Sequence, residues 1–125
     1  MKNLVSIIIV NWNGIKWLPN CIESINSQTY NNIEVILVDN NSSDESIQYF
    51  RKHCKNGVVI ANDLNYGFGV ANNIGAKKAN GDILLFLNND TIFPNNLVSN
   101  LLQYKINQGK KIVGPRIYLQ MGSIS

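Results

Sequence analysis

Hydrophobic positions along the chain gather into five short β-rich runs: Leu4–Val10, Ile33–Val38, Val58–Ala61, Ile83–Leu87 and Lys111–Val113. Between them, apolar residues recur every three or four positions, the spacing of a helix with one buried face. Four such segments are expected. The first runs from about Trp17 to Ser27, with Leu18, Cys21, Ile22 and Ile25 on one face. The second has Ser43 as its N-cap and reaches about His53, with Ile47 and Phe50 inward. The third spans about Phe68 to Ala79. The fourth starts at Pro94, a residue suited to the first helical position, and runs to Ile106 with Leu97, Leu101 and Tyr104 aligned.

Strict alternation of strand and helix predicts an α/β fold, three layers α/β/α around a mostly parallel sheet. The strands read as continuous apolar runs, as expected when both faces are covered. Ligands of such sheets bind beyond the carboxyl ends of the strands, where the strand order reverses. The informative residues therefore follow each strand. They are Asn11-Trp12-Asn13-Gly14, Asp39-Asn40-Asn41-Ser42-Ser43-Asp44, Asn62 to Gly69, and Asn88-Asn89-Asp90. Loops after strands use Asn, Asp, Ser and Gly for turns and caps in any case. That explanation serves Asn88-Asn89-Asp90 least well, because no turn glycine is present and the chain runs on into Thr91-Ile92-Phe93-Pro94.

Composition narrows the picture. The 125 residues amount to one domain, with 45% hydrophobic and 15% charged residues, too apolar for a disordered segment. No apolar window of about 18 residues occurs, so no transmembrane segment is expected. Val5 to Val10 reads as a strand and not as part of a signal peptide. The net charge of +3 arises after residue 62 and forms no stripe beyond Lys77-Lys78 and Lys110-Lys111. Nucleic acid is therefore not an expected partner. Cys21 and Cys54 show no pairing or metal spacing and are expected reduced. His53, among Arg51, Lys52 and Lys55, reads as a solvated helix end. Asparagine is abundant, at 21 residues, and clusters where strands should end.

Five aspartates are candidates for chemistry. Asp82 follows Asn80-Gly81 and reads as a turn at the opposite edge. Asp44 suits the positive end of a helix. Asp63 lies in a loop, with its role open. Asp39 and Asp90 each end a strong strand on the same edge. A hard divalent cation held mainly by a diphosphate needs only one or two protein carboxylates, and Asp90 flanked by amides would fit. Gly67-Phe68-Gly69 fails the dinucleotide fingerprint, since Asn72 stands where the third glycine belongs. Ser42 and Ser43 have no histidine near them in sequence, so nucleophilic serine chemistry is unsupported.

Four segments taken in order carry a resemblance. They are Ser6-Ile7-Ile8-Ile9-Val10-Asn11-Trp12-Asn13-Gly14, Val35 to Asp44, Asn65-Tyr66-Gly67-Phe68-Gly69-Val70-Ala71-Asn72-Asn73-Ile74-Gly75, and Gly81 to Asp90. Together they resemble the family 2 glycosyltransferases, which have the GT-A fold. The look is nearest to the bacterial rhamnosyltransferase branch. The resemblance implies inverting transfer of a sugar from a nucleotide-diphosphate donor to an acceptor hydroxyl. It places Val10, Asn11, Trp12, Asn13, Asp39 and Asn40 against base and ribose. It adds Asn65, Gly67, Asn72, Asn88 and Asn89 to the substrate-binding set. Asp90 takes the place of the last carboxylate of the Asp-x-Asp motif, which binds Mg²⁺ or Mn²⁺. Two positions depart from the family: Asn40 and Asn89 stand where many members have aspartate.

Inverting transfer also needs a group to deprotonate the acceptor. Residues 91–125 contain no Asp, Glu or His. The expectation is therefore a donor-binding domain over residues 1–125, truncated before the acceptor part. The implied partners are a nucleotide-diphosphate sugar and a glycan or lipid-linked acceptor of cell-surface polysaccharide synthesis. The implied location is the cytoplasm, at the inner face of the cytoplasmic membrane. A sugar-phosphate nucleotidyltransferase and a non-catalytic nucleotide-binding module are the alternatives.

Overall fold

The Val5–Asn11 run forms strand β1, at the centre of a five-stranded sheet. A computed structural model describes residues 3–107 and 117–121 of the chain. After β1 come α1 (Leu18–Asn26), β2 (Ile33–Asp39), α2 (Ser46–His53), β3 (Gly57–Ala61) and α3 (Phe68–Lys78). Then follow β4 (Ile83–Asn88), α4 (Leu97–Asn107) and β5 (Ile117–Met121). The order is β3-β2-β1-β4-β5, with every pairing parallel.

Successive side chains of a strand point to opposite faces, so an uninterrupted apolar run needs cover on both. Ile7 and Ile9 enter a cluster with Leu18, Cys21 and Ile22 of α1, Phe50 of α2 and Val98 of α4. Ile8 points the other way, to Val38, Leu84 and Ala71 of α3. Three layers result. On the α3 side the contact is unusually close: a Cβ on Gly75 would lie 2.6 Å from Ile8 Cγ2 and 2.9 Å from Val38 Cγ2. Only glycine lets this helix settle onto the sheet.

The chain steps outward from β1 to β2 to β3, then crosses back to pair β4 on the other flank of β1. The order therefore reverses between β1 and β4. Register aligns the strand ends there: Asn11 stands opposite Asp39, and Val10 opposite Asn88.

Several boundaries differ from the sequence expectation. α2 starts at Ser46 with Glu45 in the cap position, not Ser43. The Ser43 hydroxyl, which as a cap would accept from a helix N–H, instead donates to Asn13 Oδ1 at 3.3 Å. Asp44, one residue before the cap, accepts from the Ser46 N–H at 3.0 Å. α4 starts at Leu97, not Pro94. The carbonyls of Pro94 and Asn95 accept from Gln28 Nε2 and the Thr29 N–H, both at 2.8 Å, which ties this stretch to the end of α1. Tyr104 is 58% exposed, and Val98 takes the buried position on α4. The fifth strand is Ile117–Met121, while the Lys111–Val113 run lies outside the described residues.

Candidate functional site

The reversal of strand order brings three polar side chains together from distant parts of the chain. Asn11 and Asp39 end β1 and β2 and are fully buried; Asn89 follows β4 and is half-buried. Asn11 Nδ2 donates to Asp39 Oδ1 at 2.9 Å. Asn89 Nδ2 donates to Asn11 Oδ1, also at 2.9 Å. The space for this contact comes from Gly14. A Cβ there would stand 2.2 Å from Asn89 Nδ2 and 2.3 Å from Asn11 Oδ1.

Ser42 completes the buried group, although the sequence singled it out only as an unsupported nucleophile. Its Oγ donates to Asp39 Oδ1 at 2.8 Å and accepts from the Asn13 N–H at 2.8 Å. Its own N–H donates to Asp39 Oδ2 at 2.8 Å. The signal was the Asp-x-x-Ser spacing, in which a carboxylate reaches forward to nearby backbone N–H groups. Asn13 and Asn41 adopt φ of 48° and 68°, a left-handed backbone that asparagine tolerates better than most residues. Part of the asparagine excess is thus turn chemistry.

Asn40 is buried on the other side of the same loop. Its Nδ2 donates to the Gly67 carbonyl at 3.2 Å, and its Oδ1 accepts from Asn62 Nδ2 at 2.9 Å. These bonds draw the β3–α3 loop onto the end of β2. Within that loop Asn65 Oδ1 accepts from the Gly67 N–H at 2.9 Å, and Gly67 itself has φ 85°. Asn72 lies half-buried on α3, outside the Asn11–Asp39 network. Trp12 is 55% exposed, Val10 and Asn88 are half-buried, and Asp90 is exposed. Leu64, Tyr66, Phe68 and Ile92 are exposed beside them. The edge thus has a buried polar floor, an exposed carboxylate on one side and an apolar rim.

Asp44 ties the β1–α1 loop to α2, since its Oδ2 accepts from the Ile15 N–H at 3.1 Å. Burial raises the Asp44 pKa, but bonds from Ser46 and Ile15 outweigh it and the net direction is down. Cys21 lies under the site, with Sγ 3.9 Å from the Asn88 carbonyl. Burial first, then the charges of Cys54 and Asp90, push its thiol up to about 12. It acts as an apolar side chain, not as a nucleophile. His53 is exposed and stacks on Tyr49, with ring centroids 4.2 Å apart.

Among the described residues, no three His, Cys, Asp or Glu side chains gather as a metal-holding group. One exposed carboxylate with neighbouring amides cannot hold an ion alone. It does fit a hard divalent cation that takes its other ligands from a diphosphate and water. A cavity of about 260 Å³ lies at the opposite edge, lined by Tyr30, Ile33, Lys55 and Asn56, and touches none of these residues. No helix among the described residues is long and apolar enough to cross a membrane.

Comparison with known proteins gives the family and the fold. The sequence profile described as Glycosyl transferase family 2 matches residues 6–124. Glycosyltransferase GlyG of Streptococcus pneumoniae is 33% identical over 106 residues, 82% of this chain and 35% of that protein. An uncharacterized glycosyltransferase of Haemophilus influenzae is 35% identical over 100 residues, 80% of this chain and 34% of its own length. The chain thus spans about a third of these two relatives. Among solved structures, S. aureus TarS 1–349 in complex with UDP-GlcNAc superposes with a TM-score of 0.77 at 23% identity. That match covers 85% of this chain and 32% of TarS 1–349. The mannosyltransferase PcManGT of Pyrobaculum calidifontis, in complex with GDP-Man and Mn²⁺, gives 0.77 at 19% identity over 84% of this chain and 33% of that one. At these identities the structural matches speak for the fold.

Proposed function

The chain belongs to glycosyl transferase family 2, and from that premise we propose that it forms the donor side of an enzyme transferring a sugar from a nucleoside-diphosphate sugar. The observation that carries the reading is the meeting of Asn11, Asp39 and Asn89 where the strand order reverses, with Asp90 next in sequence. The nucleotide lies across the ends of β1, β2 and β4. Buried Asn11, Asp39 and Asn40 form the floor, and Val10, Trp12, Asn13, Asn65, Gly67, Asn72, Asn88 and Asn89 surround it.

Asp90 binds Mg²⁺ or Mn²⁺ together with the diphosphate. The cation would stabilise the negative charge that builds on the leaving diphosphate. Transfer proceeds with inversion to a hydroxyl of a glycan or lipid-linked acceptor, at the inner face of the cytoplasmic membrane. The group that deprotonates the acceptor is not found among residues 91–125.

Calorimetric titration with UDP and GDP, with and without Mn²⁺, tests the proposal. The wild type should bind one of them, more tightly with the cation, and Asp90→Ala should lose the cation dependence while keeping the fold. No binding under any of these conditions would refute it. Binding that ignores both the cation and the substitution would point to a nucleotide-binding module instead.

A further inference from the structure

Asp39 accepts hydrogen bonds and, as a carboxylate, donates none. That fact sets the direction of a chain of side chains. The atom of Asn11 facing Asp39 Oδ1 must be the Nδ2 amide, and it sits there at 2.9 Å. Asn11 Oδ1 then faces Asn89, so Asn89 must present its own Nδ2, again at 2.9 Å. Asn89 Oδ1 is left turned away from Asn11, on the residue next to Asp90. We propose that Asn11 is a positioning residue, through which Asp39 makes Asn89 offer a carbonyl oxygen, not an amide N–H, on the side away from Asn11, on the residue that precedes Asp90. The inference rests on the nucleotide reading above for its use, but not for its geometry.

This relay accounts for one of the two departures from the family pattern, Asn89. An aspartate at position 89 would place a carboxylate oxygen against Asn11 Oδ1, acceptor against acceptor. Asn11 could not turn over to relieve it, because its oxygen would then face Asp39. Gly14 belongs to the same device, since any side chain there would occupy the line between Asn11 and Asn89.

Asp39→Asn predicts a reversal, not merely a loss. The new amide group cannot take the place of Oδ2, where it would meet the Ser42 N–H, donor against donor. It must replace Oδ1, facing Asn11 and a Ser42 hydroxyl that can rotate. Asn11 then turns over, and Asn89 turns over in response, exposing its NH₂. The readout is hydrogen exchange of assigned side-chain amide protons in ¹⁵N–¹H NMR spectra, with no ligand present. In the wild type both the Asn11 and Asn89 NH₂ groups should be protected. In Asp39→Asn the Asn89 NH₂ should lose protection while that of Asn11 keeps it. A merely structural role would loosen both together. Asn62, bonded to Asn40, serves as an internal reference that should not change.

Should Asp39→Asn fail to fold, Asn11→Leu removes the relay at nearly constant volume and should release the Asn89 NH₂. Unchanged Asn89 protection in a folded variant overturns the proposal. In calorimetry, Asn11→Leu should weaken binding of whichever of UDP and GDP the wild type takes, in the presence of Mn²⁺, about tenfold, the loss expected for one well-placed hydrogen bond. If the wild type binds no nucleotide, the functional reading fails, and the exchange experiment still decides the relay.

Discussion

Replacing Gly14 by alanine is a one-carbon change aimed at the centre of the site. The added Cβ would fall 2.2 Å from Asn89 Nδ2 and 2.3 Å from Asn11 Oδ1, so it cannot coexist with their hydrogen bond. Breaking that bond and leaving its partners unpaired costs about 1–3 kcal/mol. Forcing the carbon into filled space adds about 1–3 kcal/mol. The lower entropy of alanine in the unfolded chain offsets roughly 0.4–1 kcal/mol. The net destabilisation is about 1–5.5 kcal/mol. At an unfolding entropy of about 2.1 cal/mol/K per residue, 125 residues give roughly 4 °C of Tm per kcal/mol. Gly14→Ala should therefore lower Tm by about 4–20 °C in a calorimetric or circular-dichroism melt. Gly69→Ala is the control of opposite sign. Nothing lies within 4 Å of its added Cβ, and the position is exposed in the first turn of α3. Helix propensity alone should raise stability by roughly 0.5–1 kcal/mol, about 2–4 °C. A Gly14→Ala melt at or above the wild-type Tm would refute the steric argument, whatever Gly69→Ala does.

Further outcomes follow from the ionisable groups. Glu34, at the start of β2, accepts from Ser6 Oγ at 2.5 Å and from the Asn80 N–H at 2.6 Å. Burial raises its pKa, but these bonds outweigh it and set it below its ordinary 4.5. Its charged form thus stabilises the fold above the unfolded-state pKa, and that contribution fades as pH falls through the lower folded value. Glu34→Gln should flatten the loss of Tm between pH 5 and pH 3 (roughly the range over which such a carboxylate titrates); an identical acid limb would contradict this. Burial also pushes the Cys21 and Cys54 thiols up to about 12. Neither should react with a thiol reagent at neutral pH in the folded protein, and both should react in denaturant. Fast native labelling would show that the thiols are less protected than the structure has them.

Much of the architecture was legible in the sequence because it depends on local pattern. The runs at Leu4–Val10, Ile33–Val38 and Ile83–Leu87 became β1, β2 and β4, and Leu18, Cys21, Ile22 and Ile25 became the buried face of α1. What was not legible depends on contacts between distant segments. Ser43 looks like a helix cap until Asn13, from another loop, engages its hydroxyl. Pro94 looks like a helix start until Gln28 and Thr29 take up the carbonyls at that turn. For the site, the residues ending each strand were identified, but not what each side chain touches. For Asn40 the sequence implied contact with a base; that its amide also holds Gly67 and Asn62 became visible only in the structure. Ser42 and Gly14 are as much part of the site as Asn11, but one works through a hydroxyl bridge and the other through an absent atom.

The central position of β1 also bears on how the protein comes to exist. Asn11 meets Asp39 after 28 residues of chain and Asn89 only after 78. The longer loop costs only about 0.9 kcal/mol more to close, so thermodynamics hardly distinguishes the two pairings. Order of synthesis does. Until β4 leaves the ribosome, β1, β2 and β3 can form a three-stranded sheet whose open edge is the apolar strand β1. Open apolar edges are where nascent chains pair wrongly with one another. Once β4 docks, β1 is paired on both sides and cannot detach without opening both ladders, so its end opens only with global unfolding. The strand that carries Asn11 is thus the last to be released in the mature fold and the most exposed to misassembly during translation.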